Sequence, residues 1–194
     1  MSTPSEQRRS ARSRQAILDS ALDIYRERGL AGMSMEGIAR QARVGKQTIY
    51  RWWPSKAAVL LEALDRQATE VSDFPDTGDL LADLRTQMSG VARLFSGPQF
   101  APYVSLIAAA QEDPEVEGWI RDIIVAPRVR ACRERLRRAQ EQHQLREDVD
   151  LDDVVELLYA PLYYRLLLHT RPVSVEQVDS ILRLAFTGLA AQPA

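Results

Sequence analysis

Apolar residues recur at helical spacing along almost the whole chain, and no stretch alternates apolar with polar as a half-buried strand would. The first stripe is Ile17, Leu18, Ala21, Leu22, Ile24 and Tyr25. Glycine is scarce, with 9 residues in 194, so long helices are seldom interrupted. The pattern predicts an all-α chain of about nine helices, near 8–28, 35–42, 46–52, 56–72, 79–96, 99–111, 114–143, 151–169 and 175–189. The punctuation agrees. Gly29 stands at a left-handed C-cap position. Ser34, Ser55, Asp113 and Asp150 stand at N-caps. Ser174 with Gln177 makes a capping box, and 73–79 reads as a linker. Pro127 and Pro161 fall inside helical patterns and should kink or split their helices.

Several chemistries are excluded early. Cys132 is the single cysteine and His143 and His169 the only histidines, so neither a disulfide nor a His/Cys metal cluster is expected. No cofactor or phosphate-loop motif occurs. The longest apolar run, 157–168, is too short for a bilayer, which takes about 20 residues. A cytoplasmic protein with no membrane role is expected. The arginine-rich stretch around Cys132 could depress its thiolate pKa, but no histidine pairs with it locally. The same stretch (Arg128, Arg130, Arg133, Arg135, Arg137, Arg138) reads as a solvated helix face, with a basic binding module as the weaker alternative.

Charge divides the chain unevenly. Residues 1–56 carry 11 Lys/Arg against 5 Asp/Glu, whereas the chain as a whole has a net charge of -2. A small cationic module that meets a polyanion, joined to a larger acidic one, fits this split. Residues 43–56, "RVGKQTIYRWWPSK", hold four cations and no acid. Here a short helix ends, a tight turn follows, and a second short helix begins, as in a helix-turn-helix. Such a second helix can enter the major groove. Lys46 and Gln47 are suited to purine edges, and Thr48 and Tyr50 to phosphates or a thymine methyl. Arg51, Trp52 and Lys56 would lie along the DNA backbone. Ile49 and Trp53 would anchor the helix in the core. Arg8, Arg9, Arg12 and Arg14 form either a basic arm for the minor groove or a solvated tail.

The pieces "AILDSALDIYRERG", "MSMEGIARQARV", "KQTIY" and "WPSKAAVL" resemble the N-terminal domain of TetR-family transcriptional regulators, over residues 14–64. The resemblance implies a DNA-binding domain (1–54), a linking helix (55–72) and a helical effector-binding and dimerisation domain (73–194). It puts Lys46, Gln47, Thr48 and Tyr50 where the family contacts bases and phosphates, and Trp52 and Lys56 on backbone-contact positions. Ser34 opens the helix whose N-terminus meets a phosphate. The family usually has glycine in the turn and serine at the following cap. This chain has Arg43 and Gly45 instead, and Arg43 is a further candidate phosphate contact. The segments "VAPRVRA" and "APLYYRLLL" resemble one subgroup of TetR C-terminal domains.

The family reading implies a homodimer on a palindromic double-stranded operator, a repressor released by a small molecule. The helix 151–169 is apolar nearly all round, so a second chain is expected to cover part of it. Tyr164, Leu168, Val178, Ile181, Leu182, Ala185 and Leu189 are the candidate dimer residues. Met88, Phe95, Phe100, Tyr103, Leu106, Trp119, Ile123, Tyr159, Leu162 and Tyr163 are the candidate pocket residues. They suit a largely apolar effector with one or two polar handles.

Overall fold

The computed structural model describes residues 4–68 and 74–189, without the side chains of 4–7, 9, 67, 68, 188 and 189. Among the described residues the elements are helices joined by turns and loops, in the order α1 (Pro4–Arg28), α2 (Met35–Gln41), α3 (Lys46–Trp52), α4 (Lys56–Ala68), α5 (Leu80–Ser96), a 3-10 turn (Pro98–Phe100), α6 (Ala101–Ala110), α7 (Pro114–Trp119), a π turn (Ile120–Val125), α8 (Ala126–Glu141), α9 (Leu151–Leu168) and α10 (Val175–Leu189). The chain forms two compact units. One takes the described residues up to 67 together with 102–124; the other takes 68–101 and the residues from 125 on.

In the first unit the stripe on α1 is the core: Ile17, Leu18, Ala21, Leu22 and Ile24 are all buried. Gly29 ends α1 at φ +65, where its N–H reaches the Tyr25 carbonyl at 2.8 Å. Left-handed backbone here is strained for any residue with a Cβ. Ser34 caps α2, its Oγ accepting from Gly37 N at 3.1 Å. Met35, Ile38 and Ala39 face inward from α2, and Ile49 from α3. Pro102, Tyr103 and Leu106 of α6 are buried too, and the Tyr25 and Ser105 hydroxyls share a hydrogen bond at 2.7 Å.

In the second unit α5 packs on α8, α9 and α10. Asp79 and Asp150 cap α5 and α9. The predicted capping box of α10 forms by half. Ser174 Oγ accepts from Gln177 N at 3.4 Å, but the Gln177 amide turns away to donate to the Pro161 carbonyl at 2.7 Å.

The two prolines act differently. Pro127 is the second residue of α8, one residue beyond the π turn. Proline has no N–H to donate and its ring crowds the carbonyl four residues back, so a widened turn fits there. Pro161 lies inside α9, which continues past it to Leu168.

Two sequence expectations about α8 need correction. Arg135 is not on a solvated face: it is 2% exposed and paired with Asp83, itself 1% exposed. The Cys132 thiol is not activated. Burial pushes its pKa up to about 12, against a weaker opposing hydrogen bond with Tyr159. The arginines flanking them do face water, in pairs with Glu134, Glu141, Asp76 and Asp152.

Candidate nucleic-acid interface

α2, the turn and α3 form the helix-turn-helix. α2 packs on α1, and α3 packs on α2. Arg43 holds the turn at φ +55, the left-handed conformation for which glycine is the easier residue. The turn closes with Val44 N donating to the Ala39 carbonyl at 3.0 Å. Gly45 caps α3 without a side-chain hydrogen bond.

Ile49 and Trp53 are 0% and 3% exposed, so one edge of α3 is fully committed to the core. The opposite edge carries Lys46, Gln47, Tyr50 and Arg51 in solvent, with Thr48 and Trp52 half-buried. The Arg51 guanidinium sits 5.1 Å over the Trp52 ring, and Trp52 meets Trp53 edge-on at 5.5 Å. Arg43 and Ser34 are exposed beside them.

Two features were not legible in the sequence. Glu36, in the first turn of α2, lies on the same surface. Lys46 Nζ stands 2.6 Å from its carboxylate, and Tyr50 donates to it at 3.4 Å. The hydrogen bond from Lys46 holds the Glu36 carboxyl below its usual range, and the same bond raises the Lys46 ammonium. Both groups are exposed, so this pair is weak and easily exchanged for other partners. Glu62 of α4 is the second feature. Its Oε2 accepts from Trp53 Nε1 at 2.8 Å and from Arg14 at 2.8 Å, which binds the residue after α3 to both α4 and α1. The two partners lie 9 and 48 residues away from Glu62, beyond any local pattern.

Lys56 is less free than its sequence position suggests. Its ammonium donates to the Leu30 and Met33 carbonyls at 2.8 and 3.1 Å, fastening the start of α4 to the turn before α2. Arg8, Arg12 and Arg14 do not form an extended arm. They stand on α1, which begins at Pro4, and Arg14 faces Glu62. The Arg9 side chain is outside the described residues.

The candidate effector residues divide between the units. Phe95, Phe100 and Tyr163 form an aromatic group in the second unit, with ring centroids 5.4 Å (Phe95–Phe100) and 5.2 Å (Phe95–Tyr163) apart. Met88 and Leu162 are fully buried there, and Tyr159 donates to Gln87. Tyr103 and Leu106 are core of the first unit. Trp119 and Ile123 line a cavity with Trp52, Trp53 and Arg14, within the first unit.

The candidate dimer residues also divide. Tyr164 and Leu168 are 56% and 61% exposed. Val178 and Leu182, by contrast, are 0% and 2% exposed inside their own chain, so they are not free to meet a partner. They lie on the side of α10 that faces α5 and α9. Ile181 and Ala185 lie at the edge of a groove of about 810 Å³, with Leu157, Pro161, Tyr164 and Leu184. Leu184, which the sequence pattern passes over, is 72% exposed. The Leu189 side chain is outside the described residues.

Comparisons with known proteins agree with this geometry. Residues 17–63 match the family model of bacterial regulatory proteins of the tetR family, and 74–185 match a tetracyclin repressor-like C-terminal domain. The chain is 32% identical over 179 residues to the HTH-type transcriptional regulator YdeS of Bacillus subtilis (strain 168), covering 92% of this chain and 90% of that one. It is 31% identical to the DNA-binding transcriptional repressor TetR of Mycobacteroides abscessus, covering 79% and 81%. The crystal structure of the TetR family transcription regulator SCO0332 superposes with a TM-score of 0.78 at 33% identity, covering 91% and 97%. The chain belongs to the TetR family of helix-turn-helix transcriptional regulators. Its members are DNA-binding regulators rather than enzymes, they dimerise, and release of a repressor by an effector is their general behaviour. Among the described residues no helix is long and apolar enough to cross a membrane, and no group of His, Cys, Asp or Glu could hold a metal ion.

Proposed function

We propose that two copies of this chain bind a palindromic operator, each setting α3 in the major groove, and that a small molecule releases them. The observation that carries the reading is the exposed edge of α3. Lys46, Gln47, Thr48 and Tyr50 project from a seven-residue helix whose other edge is held by Ile49 and Trp53. A helix so anchored can offer donors to bases without moving. Ser34, Arg43, Arg51 and Trp52 flank it and serve the phosphates, with the third hydrogen of the Lys56 ammonium. The linking helix is α4, and the domains run 1–54, 55–72 and 73–194. The protein acts where chromosomal DNA is, in the cytoplasm.

The dimer face in this reading is the apolar surface of α9 and α10: Leu157, Tyr164, Leu168 and Leu184 are each at least half exposed. Leu157, Tyr164 and Leu184 line one groove, and exposed apolar surface of this kind marks an interaction site. Two-fold pairing there gives the symmetry a palindrome needs.

The effector is a small, largely apolar molecule contacting Met88, Phe95, Phe100, Tyr159, Leu162 and Tyr163, all in the second unit. Small-molecule binding by fold relatives supports an effector without naming it. FadR of Bacillus subtilis (18% identical, TM-score 0.68) was solved with stearoyl-CoA, and a putative regulator from Saccharomonospora viridis (22%, 0.61) with choline. Selection from random duplex pools tests the reading. An enriched palindrome with half-sites about one turn (~34–36 Å) apart is expected. Weak binding without enrichment, lost as salt rises, overturns it.

A further inference from the structure

Trp52, Trp53 and Trp119 are the chain's three tryptophans, and all of them line one cavity of about 450 Å³ in the first unit. Arg14, Glu62 and Asp65 are among its other walls. Within it the Arg14 guanidinium lies 5.7 Å from the Trp53 ring centroid and 2.8 Å from the Glu62 carboxylate. The same carboxylate oxygen also accepts from the Trp53 indole. The chain has thus seated one of its own organic cations on an aromatic face and against an acid. That cation is loosely held: the Arg14 side chain is 50% exposed, whereas Glu62 is only 21% exposed.

We propose that this cavity binds a small organic cation of the guanidinium, amidinium or alkylammonium type, which enters by exchanging with Arg14. Indole is the best aromatic partner for a cation; three indoles line the cavity, and Arg51 already lies over that of Trp52. Glu62 is sheltered enough for its field to be less screened than that of a surface acid. Arg14, half exposed, can swing into water once another cation takes its place against Glu62. Exchange also leaves the charge inside the cavity unchanged. A neutral molecule has no such exchange open to it, and an anion in the place of Arg14 would stand against the Glu62 carboxylate, although Arg66 also lines the cavity. Trp52 and Trp53 stand at the end of α3, so the occupant sits behind the recognition helix. Departure of Arg14 removes one of two side-chain ties between α1 and α4, leaving the Arg66–Gln15 hydrogen bond at 2.6 Å. Such a cation is then an effector; this part rests on the operator-binding reading above, whereas the binding site does not.

The test uses the full chain, its own tryptophan emission and benzamidinium as probe, with benzamide as the neutral molecule of the same shape. Benzamidinium is expected to change the emission saturably and benzamide not at all. Glu62→Gln keeps an acceptor for the Trp53 indole but loses the charge, and should weaken binding about tenfold. Arg14→Ala removes the internal competitor and should tighten it by a similar factor. Thermal melts identify the variants that fold, and Arg14→Gln replaces Arg14→Ala if that one does not. Equal responses to the two probes, no saturable response, or no tightening when Arg14 is removed overturns the site. With a selected operator in hand, benzamidinium should lower operator affinity in the wild type and not in Glu62→Gln. Binding without that effect overturns the effector role alone. Failure to find any operator overturns the regulator reading, while the fluorescence titration still judges the site.

Discussion

Arg135 and Asp83 meet in the interior of the second unit, with NH2 of the arginine 2.7 Å from Asp83 Oδ2 and Nε donating to the same oxygen at 2.8 Å. Thr77 completes the carboxylate's partners, donating from its backbone N–H and from its hydroxyl at 2.7 Å. The pair binds α8 to α5 and to the segment before it. Arg135 NH1 has no partner among the described residues. The arginine's other carboxylate, Asp76, stands farther off, at 3.9 Å from Nε.

Neutralising Asp83 leaves the buried Arg135 charge with only the more distant Asp76. Asp83→Asn is expected to destabilise the chain by about 3–5 kcal/mol, read by urea or thermal unfolding. Burial alone would raise the Asp83 pKa, but hydrogen bonds from Thr77 and Arg135 outweigh it and the net direction is down. A carboxyl depressed in the folded state stabilises it fully above the unfolded value, about 3.9. That contribution is lost as pH falls below this value toward the folded pKa. The wild type should thus lose stability as pH falls below about 4. Asp83→Asn should show a shallower acid slope; equal slopes would remove Asp83 from the account.

On the recognition face, Lys46→Ala should reduce operator affinity and lower the salt slope by about 0.9 if the lysine meets a phosphate. Should it read a base, the slope stays and discrimination at one base pair falls by about 1–3 kcal/mol. Glu36→Gln releases Lys46 and takes an acid off a surface that faces a polyanion. It should strengthen binding to nonspecific duplex, measured by fluorescence anisotropy at several salt concentrations.

Arg43→Gly relieves the left-handed strain at φ +55. A gain of about 1 kcal/mol in stability is expected. If Arg43 meets a phosphate, the salt slope drops by about 0.9 in the same variant. An unchanged slope would make Arg43 a bystander.

Leu184→Glu and Tyr164→Glu place charges on the exposed face of α9 and α10, at positions 72% and 56% exposed. Neither disturbs the core, so the melting temperature of the monomer should hold. Sedimentation should shift from dimer to monomer, and operator binding should fall with it. Val178→Glu is the contrasting case: at 0% exposed it should unfold the chain instead.

Cys132 should be silent toward thiol reagents at neutral pH. It is 1% exposed and its thiol is pushed up to about 12. Labelling should appear only with denaturant, and its midpoint should coincide with that of global unfolding.

Much of the molecule follows from local chemistry and so was readable in the chain. Gly29, Ser34, Asp113 and Asp150 act on backbone groups within four residues of themselves, and each stops or starts a helix where its type predicts. The division of α3 into Ile49 inside and Lys46 outside is local in the same sense, whereas the left-handed turn at Arg43 is expected only through the resemblance to the family. What the tertiary structure decided depends on partners far along the chain. A stripe on α10 says that one side is covered but not by what, and packing on α5 and α9 put Val178 and Leu182 inside while leaving Leu184 out. Arg135 is buried because Asp83 stands 52 residues earlier. Trp119 joins Trp52 and Trp53 because the segment 102–124 packs with the N-terminal helices. Helical periodicity carries the direction of each side chain about its own axis, whereas the identity of its neighbour is settled only when the helices pack.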